Sequence, residues 1–309
     1  MTKETCENRY AQILKAQGVY VITIDCVDWY EYGGFMMPAY LPHCCPDINS
    51  EMARKAVLIS GKPFARWHSL YGLVENSEWW YILRKEAWSL DQCSANTRSK
   101  IRRGCKQLES RLLNPAELQE AAYDVCIKAV ARYGHKEFLP SREAFEKKIK
   151  AAAAMPETLE FFGVFSGGRL VGFSENYIQD NAVFCESIWY DPAFLPVYSS
   201  YVLTAETLKN YLNERRFKYV LDGCRSLYHR SEIQDYLIQT FGFTKEYALL
   251  NVAYRPVFGA IMKTAYAAKG PIWHLNRIWK NNTLDKVGGI LKQEYIRRTS
   301  ENQARLLGK

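Results

Sequence analysis

Between residues 159 and 254, strand-like and helix-like runs follow one another as strand, strand, strand, helix, strand, helix, strand. Phe161–Phe165 and Leu170–Ile178 flank Ser166-Gly167-Gly168-Arg169, where two glycines supply the positive φ of a tight hairpin. Gln179-Asp180-Asn181 turns the chain into a third strand, Ala182–Tyr190. A serine-capped helix is expected from about Ser200 to Arg216, then a strand at Tyr219–Asp222, a further helix and a last strand at Tyr247–Tyr254. Such an order predicts an α/β (α+β) fold: a mixed, mostly antiparallel sheet flanked by helices.

Upstream, Val19–Ile24, Lys55–Ile59 and Trp79–Leu83 read as strands, and the Gly- and Pro-rich stretch 33–42 reads as a loop. A helix is expected from Asn96/Thr97 to about Leu108, with Ile101, Cys105 and Leu108 as its apolar stripe. Asn114-Pro115-Ala116-Glu117 is a helix-start signal for a segment ending at Gly134, and a second helix spans about Ser141 to Ala154. The chain carries a formal net charge of +8, and residues 256–309 hold ten Lys/Arg against three Asp/Glu, hence +7 of it. Any attraction to polyanions is thereby concentrated in a basic helical tail whose end, Val287 to Arg305, is expected to be solvated. No apolar run is long enough for a membrane span, and the start lacks the apolar centre of a secretory signal. Nine cysteines, an odd count without a secretion signal, predict free thiols and a cytoplasmic protein.

From about Gln107 to Tyr254 the element order resembles the GNAT (Gcn-related N-acetyltransferase) fold, and more closely the two-domain Fem-type aminoacyl and peptidyl transferases. Three segments carry the closer likeness: the Arg-rich run 94–106, Ile188-Trp189-Tyr190-Asp191-Pro192, and Asp222-Gly223-Cys224-Arg225-Ser226 with Phe241-Gly242-Phe243. The resemblance implies an N-terminal GNAT-like half over residues 1–108 ending in the Arg-rich linker helix. It further implies an acyltransferase domain over 109–256 and a basic helical extension over 257–309. GNAT enzymes that use coenzyme A hold its pyrophosphate on a glycine-rich loop opening the crossover helix. The matching stretch, Leu195-Pro196-Val197-Tyr198-Ser199-Ser200, has no glycine, so Val197, Tyr198, Ser199 and Ser200 are the donor-binding candidates.

Acyl transfer to an amine needs a base, donors for the oxyanion and a seat for the acyl carrier. Glu186, mid-strand among apolar residues, is the base implied by the resemblance, with Glu175 on the preceding strand as second candidate; the plainer reading is a carboxylate on an exposed sheet face. The family's acid, a tyrosine four residues before the Gly of the Gly-Phe turn, falls here on Ile238, with Tyr236 two residues earlier. Asp222, as a structural or substrate-orienting carboxylate, and Arg225, Tyr228 and His229 in the loop after it are substrate-binding candidates at a strand's C-terminal end. Arg98, Arg102 and Lys106 share one helix face, which is either solvated surface or a grip on phosphates. His43-Cys44-Cys45-Pro46-Asp47 lacks the second ligand pair of a zinc site, so no metal is expected. No phosphate-binding or nucleophile-elbow motif supports a kinase, dehydrogenase or α/β-hydrolase. The expected activity is transfer of an acyl group from a thioester carrier to the amine of a small molecule or peptide. Acyl-CoA is the co-substrate, or an acyl carrier protein in its place, and no cofactor is tightly bound. The alternatives are a tRNA-dependent amino-acid transferase and a non-catalytic binding protein of the same fold.

Overall fold

A computed structural model describes residues 8–118, 120–133, 139–227, 232–268 and 282–308. The chain divides into two compact units. The first holds the residues up to Val19, Leu83–Gly223 and Tyr236–Thr244, and the second Tyr20–Ile82, Cys224–Asp235 and the residues from Lys245 onward.

The first unit is built on β6 (Glu109–Leu113), β7 (Leu159–Ser166), β8 (Arg169–Gln179), β9 (Ala182–Tyr190) and β10 (Val220–Cys224), adjacent in that order. Pairing is antiparallel from β6 to β9 and parallel between β9 and β10. Gly167 and Gly168 (φ 55° and 78°) make the β7–β8 turn, and Asp180 and Asn181 (φ 46° and 58°) the β8–β9 turn. Both are two-residue turns whose left-handed residues match strand twist. Helices α1 (Arg9–Ala16), α4 (Ala121–Tyr133) and α5 (Arg142–Ala154) pack on the face that carries Phe161, Phe173 and Tyr177. On the other face α6 (Ser199–Leu208) buries Val202 and Leu203 against Phe162, Val164 and Val171. Behind α6 lies α3 (Ala95–Gly104), the Arg-rich helix.

α3 and α6 approach closely because Gly104 has no side chain. A Cβ there would meet Val202 Cγ2 at 2.5 Å and the Val197 carbonyl at 3.3 Å. α6 does not begin with the expected serine cap. Its N-cap is Tyr198 in the left-handed region (φ 67°) with no side-chain hydrogen bond. The helix continues into a π-helical segment, Lys209–Glu214, a local widening often found near functional sites.

In the second unit, β1 (Val21–Ile24), β2 (Val27–Tyr32), β3 (Phe35–Pro38), β4 (Phe64–Ser69) and β11 (Thr244–Tyr254) are neighbours in that order. All pairs are antiparallel except β3 with β4. β5 (Trp79–Arg84) and α7 (Glu232–Phe241) span the points where the chain passes between units. Further α-helices among the described residues are α2 (Ser50–Ser60), α8 (Pro256–Ala267) and α9 (Asn282–Leu306).

Several expectations are corrected. The strand expected at Lys55–Ile59 lies inside α2, which Asn49 caps by accepting from Glu51 and Met52 N–H and which Gly61 (φ 69°) ends. Ala53, Ala56 and Val57 face the core at helical spacing while Leu58 and Ile59 are 62% exposed. A short apolar run cannot distinguish the two periods by itself. The supposed loop 33–42 contains β3, because Gly33 and Gly34 (φ 56° and 90°) form a tight turn that returns the chain along β2. Asn114 opens only a short 3₁₀ turn, Pro115–Glu117, and α4 starts at Ala121; the expected end at Gly134 lies outside the described residues. The tail is not simply solvated. α9 buries Leu291 and Ile296, Ser300 Oγ accepts from the Leu250 N–H (3.0 Å), and Tyr254 donates to Glu294 (2.9 Å). All eight described cysteines are free thiols.

Gly104→Ala should push α3 away from α6 and lower stability by about 1–3 kcal/mol, as overpacking does. A shift of the urea midpoint with an unchanged slope measures it.

Candidate functional site

Two features of β8 and β9 organise the polar groups of the first unit. The first is a bulge: Glu175 pairs with Ser187 and Asn176 with Cys185, so Glu186 is the extra residue on β9. The bulge turns Glu186 toward the face that carries Glu175. The second is an early end to pairing. β10 matches β9 only at Val220–Val183 and Leu221–Phe184, although β9 runs on to Tyr190 and β10 to Cys224.

On the α5 face, Lys148 joins both glutamates. Its ammonium is ion-paired with buried Glu175 and lies 3.3 Å from Glu186 Oε2. Trp189 Nε1 donates to the other Glu175 oxygen at 2.9 Å. Burial disfavours the Lys148 charge, but the fields of Glu175, Tyr177 and Glu186 outweigh it and hold its pKa well above the ordinary value. Glu186 and Glu175 therefore meet, as two carboxylates sharing one cation rather than as a free base on a sheet face. Lys148 is the member that sequence reading missed. Its signal was a lysine on the buried stripe of α5, between Phe145 and Ile149.

On the α6 face, where the strands part, β8, β9, β10 and α6 enclose a cavity of about 20 Å³, room for one water molecule. Ser174, Cys185, Thr204, Thr207 and Asp222 line it. Thr207 Oγ1 is buried with no hydrogen-bond partner, and Asp222 has no ion-pair partner among the described residues. Burial without a compensating cation pushes the Asp222 carboxyl up to about 7.

At the start of α6, Ser199 is fully buried and its Oγ has no hydrogen-bond partner. Val197 packs into the α6 core, and Tyr198 lies under the Arg103 guanidinium (4.8 Å to the ring centre). Lys100 donates to Tyr201 (3.0 Å), whose ring meets Tyr236 edge-on at 5.5 Å. Burial pushes Tyr236 up, against the opposing effect of the Ser200 hydroxyl beside it, so its phenol is held neutral. The loop entering α6 is pinned by Asp191, which accepts from Ala193 N–H (3.0 Å) and from Arg169 (2.8 Å).

The Arg-rich helix is less uniform than its sequence. Arg98 donates to the Cys93 carbonyl at 2.7 Å, tying down the helix start, whereas Arg102 faces a groove. In the second unit Arg225 is ion-paired with Glu78 and donates to the Glu78 carbonyl at 2.6 Å. Its charge is thus already matched. Tyr228 and His229 lie outside the described residues.

No protein-family model and no curated protein sequence matches the chain. Solved structures do match its fold. FemX superposes with a TM-score of 0.55 over 82% of this chain and 93% of its own, at 10% identity. The C-terminal domain of a protein assigned as a lysylphosphatidylglycerol synthetase, from Agrobacterium fabrum, gives 0.53 over 83% and 90%, at 11% identity. A conserved protein of unknown function from Bacteroides thetaiotaomicron gives 0.50 over 82% and 93%, at 10% identity. The architecture is thus a GNAT-like fold of the Fem type. Among the described residues no helix is long and apolar enough to cross a membrane.

Lys148→Met should cost about 3–5 kcal/mol, since it leaves Glu175 buried without its cation. Adding Glu175→Gln should recover part of that loss in a denaturant titration. The folded pKa of Asp222 lies above the unfolded one, so its carboxyl adds stability below about pH 4 that is lost as pH rises to about 7. Relative to Asp222→Asn, the parent protein should therefore be more stable at pH 5 than at pH 8, as read from paired urea midpoints.

Proposed function

We propose that the chain is an N-acyltransferase of the GNAT type, acting through residues 109–256 and moving an acyl group from a thioester carrier to an amine. The observation that carries this reading is the parting of β9 from β10, with an unpaired carboxyl of pKa about 7 at the fork. A general base is most effective when its pKa lies near the working pH. Asp222 meets that condition, while Glu186 is engaged by Lys148.

In this reading the acceptor nitrogen attacks the thioester carbonyl carbon in the opening between the strands. Main-chain donors of β9 beyond Phe184 would stabilise the oxyanion, since that part of the strand is free of the β10 ladder. The new C–N bond forms as the C–S bond breaks. Asp222 takes the proton from the amine, and the Tyr236 phenol supplies one to the departing thiolate. Glu175, Glu186 and Lys148 would border the acceptor on the α5 face and orient its polar groups. The carrier's phosphates would meet the start of α6, where Tyr198 adopts the left-handed turn that a glycine provides elsewhere.

Thiol release from a panel of acyl-CoAs, with small amines and peptides as acceptors, tests the reading. Activity should rise with pH through about 7 as Asp222 ionises. Asp222→Asn should remove that limb and lower kcat/KM by about 10²–10⁴, whereas Glu186→Gln should keep the limb. Full activity in Asp222→Asn would overturn the assignment of the base, and absence of thiol release from every donor would overturn the thioester reaction.

A further inference from the structure

α6 has two working faces. Leu203, Thr204, Thr207 and Leu208 look toward the cavity that holds Asp222. Glu206, Lys209 and Asn213, at spacings that continue through the π-helical segment, look the other way. There they form one wall of a groove of about 610 Å³, with α3 as the facing wall. Ile101, Arg102, Cys105 and Lys106 contribute from the α3 side, and Trp88 with Leu90 close one end. That end is rigid, because Asn213 both accepts from the Trp88 N–H (2.9 Å) and donates to the Trp88 carbonyl (2.7 Å).

The charges of this groove are unlike those on the rest of the Arg-rich helix. Arg98 donates to Cys93, Lys100 donates to Tyr201, and Arg103 stacks over Tyr198. The side chains of Arg102 and Lys106, which face the groove, make no hydrogen bond or ion pair with any described residue. Lys209 across from them is 3.5 Å from Glu206, the one carboxylate lining the groove. Three cations thus face one anion around a partly apolar floor. The volume falls within the roughly 300–1,000 Å³ of small-molecule sites.

We propose that this groove binds a phosphate ester of nucleotide size. Its phosphates sit on Arg102, Lys106 and Lys209, where guanidinium and ammonium groups suit phosphate oxygens. Its less polar body lies along Ile101 and Leu90. Glu206 supplies an acceptor for hydroxyl or amino groups of that body. The site is separate from the fork between β9 and β10 and does not depend on the acyl-transfer reading.

Cys105 provides the readout, as an exposed thiol lining the groove. Cys26, exposed in the second unit, is the internal control. The full-length protein is treated with a maleimide with and without ADP, and modification at each cysteine is timed by peptide mass spectrometry. ADP at about ten times its dissociation constant should slow modification of Cys105 roughly tenfold by occupancy. Cys26 should be unaffected. Arg102→Gln with Lys106→Gln should abolish the protection while leaving the thermal melt unchanged. Equal rates with and without millimolar ADP would overturn the proposal, as would protection that survives the double substitution. Equal protection by inorganic pyrophosphate would refute a seat for the nucleotide body. Protection by tRNA alone would replace the small ligand with a macromolecular polyanion.

Discussion

The polar groups of the candidate site are arranged around the point where β9 stops pairing with β10. Parallel pairing ends at Phe184–Leu221, and residues of α6 and of both strands line a cavity beside the parting. Buried backbone groups ordinarily find partners, so an opened ladder inside a fold is a position for a ligand or water to complete. The same parting leaves Asp222 at the fork with no cation to offset its burial. The bulge at Glu186 adds a second consequence by turning that residue onto the Glu175 face, where Lys148 lies.

The two faces of the sheet consequently carry opposite electrostatic solutions. On the α5 side a buried carboxylate is matched by a lysine and an indole donor, which makes the cluster a rigid, charge-satisfied wall. On the α6 side a carboxyl and a threonine hydroxyl are left unmatched beside a water-sized cavity. A satisfied network stabilises, whereas an unsatisfied one can exchange protons. In the proposed reaction this contrast is why the base is sought at Asp222 and not at Glu186.

Much of the fold was legible in the chain. The two hairpin turns were visible because Gly167-Gly168 and Asp180-Asn181 are residues that tolerate left-handed backbone, and both adopt it. α5 and the strands from β7 to β10 appeared at the expected places because their periodicity and caps agree. Where reading failed, local signals conflicted with packing. Lys55–Ile59 has the composition of a strand, yet Asn49 and Gly61 cap it as a helix whose core face is the alanines. The π-helical turn of α6 and the left-handed Tyr198 have no local signature at all.

By itself, the sequence determined the order of strands and helices from β7 to β11, the GNAT-like architecture that order implies, and the residue types available for acid–base work. Those follow from periodicity and turn chemistry, which act over a few residues. Only the tertiary structure decided which charges are spent and which are free. Arg225 is matched by Glu78, Arg98 by a carbonyl and Glu186 by Lys148, while Asp222, Arg102 and Lys106 have no such partner among the described residues. Charge pairing depends on residues distant in sequence brought within a few ångströms, and no local pattern encodes that.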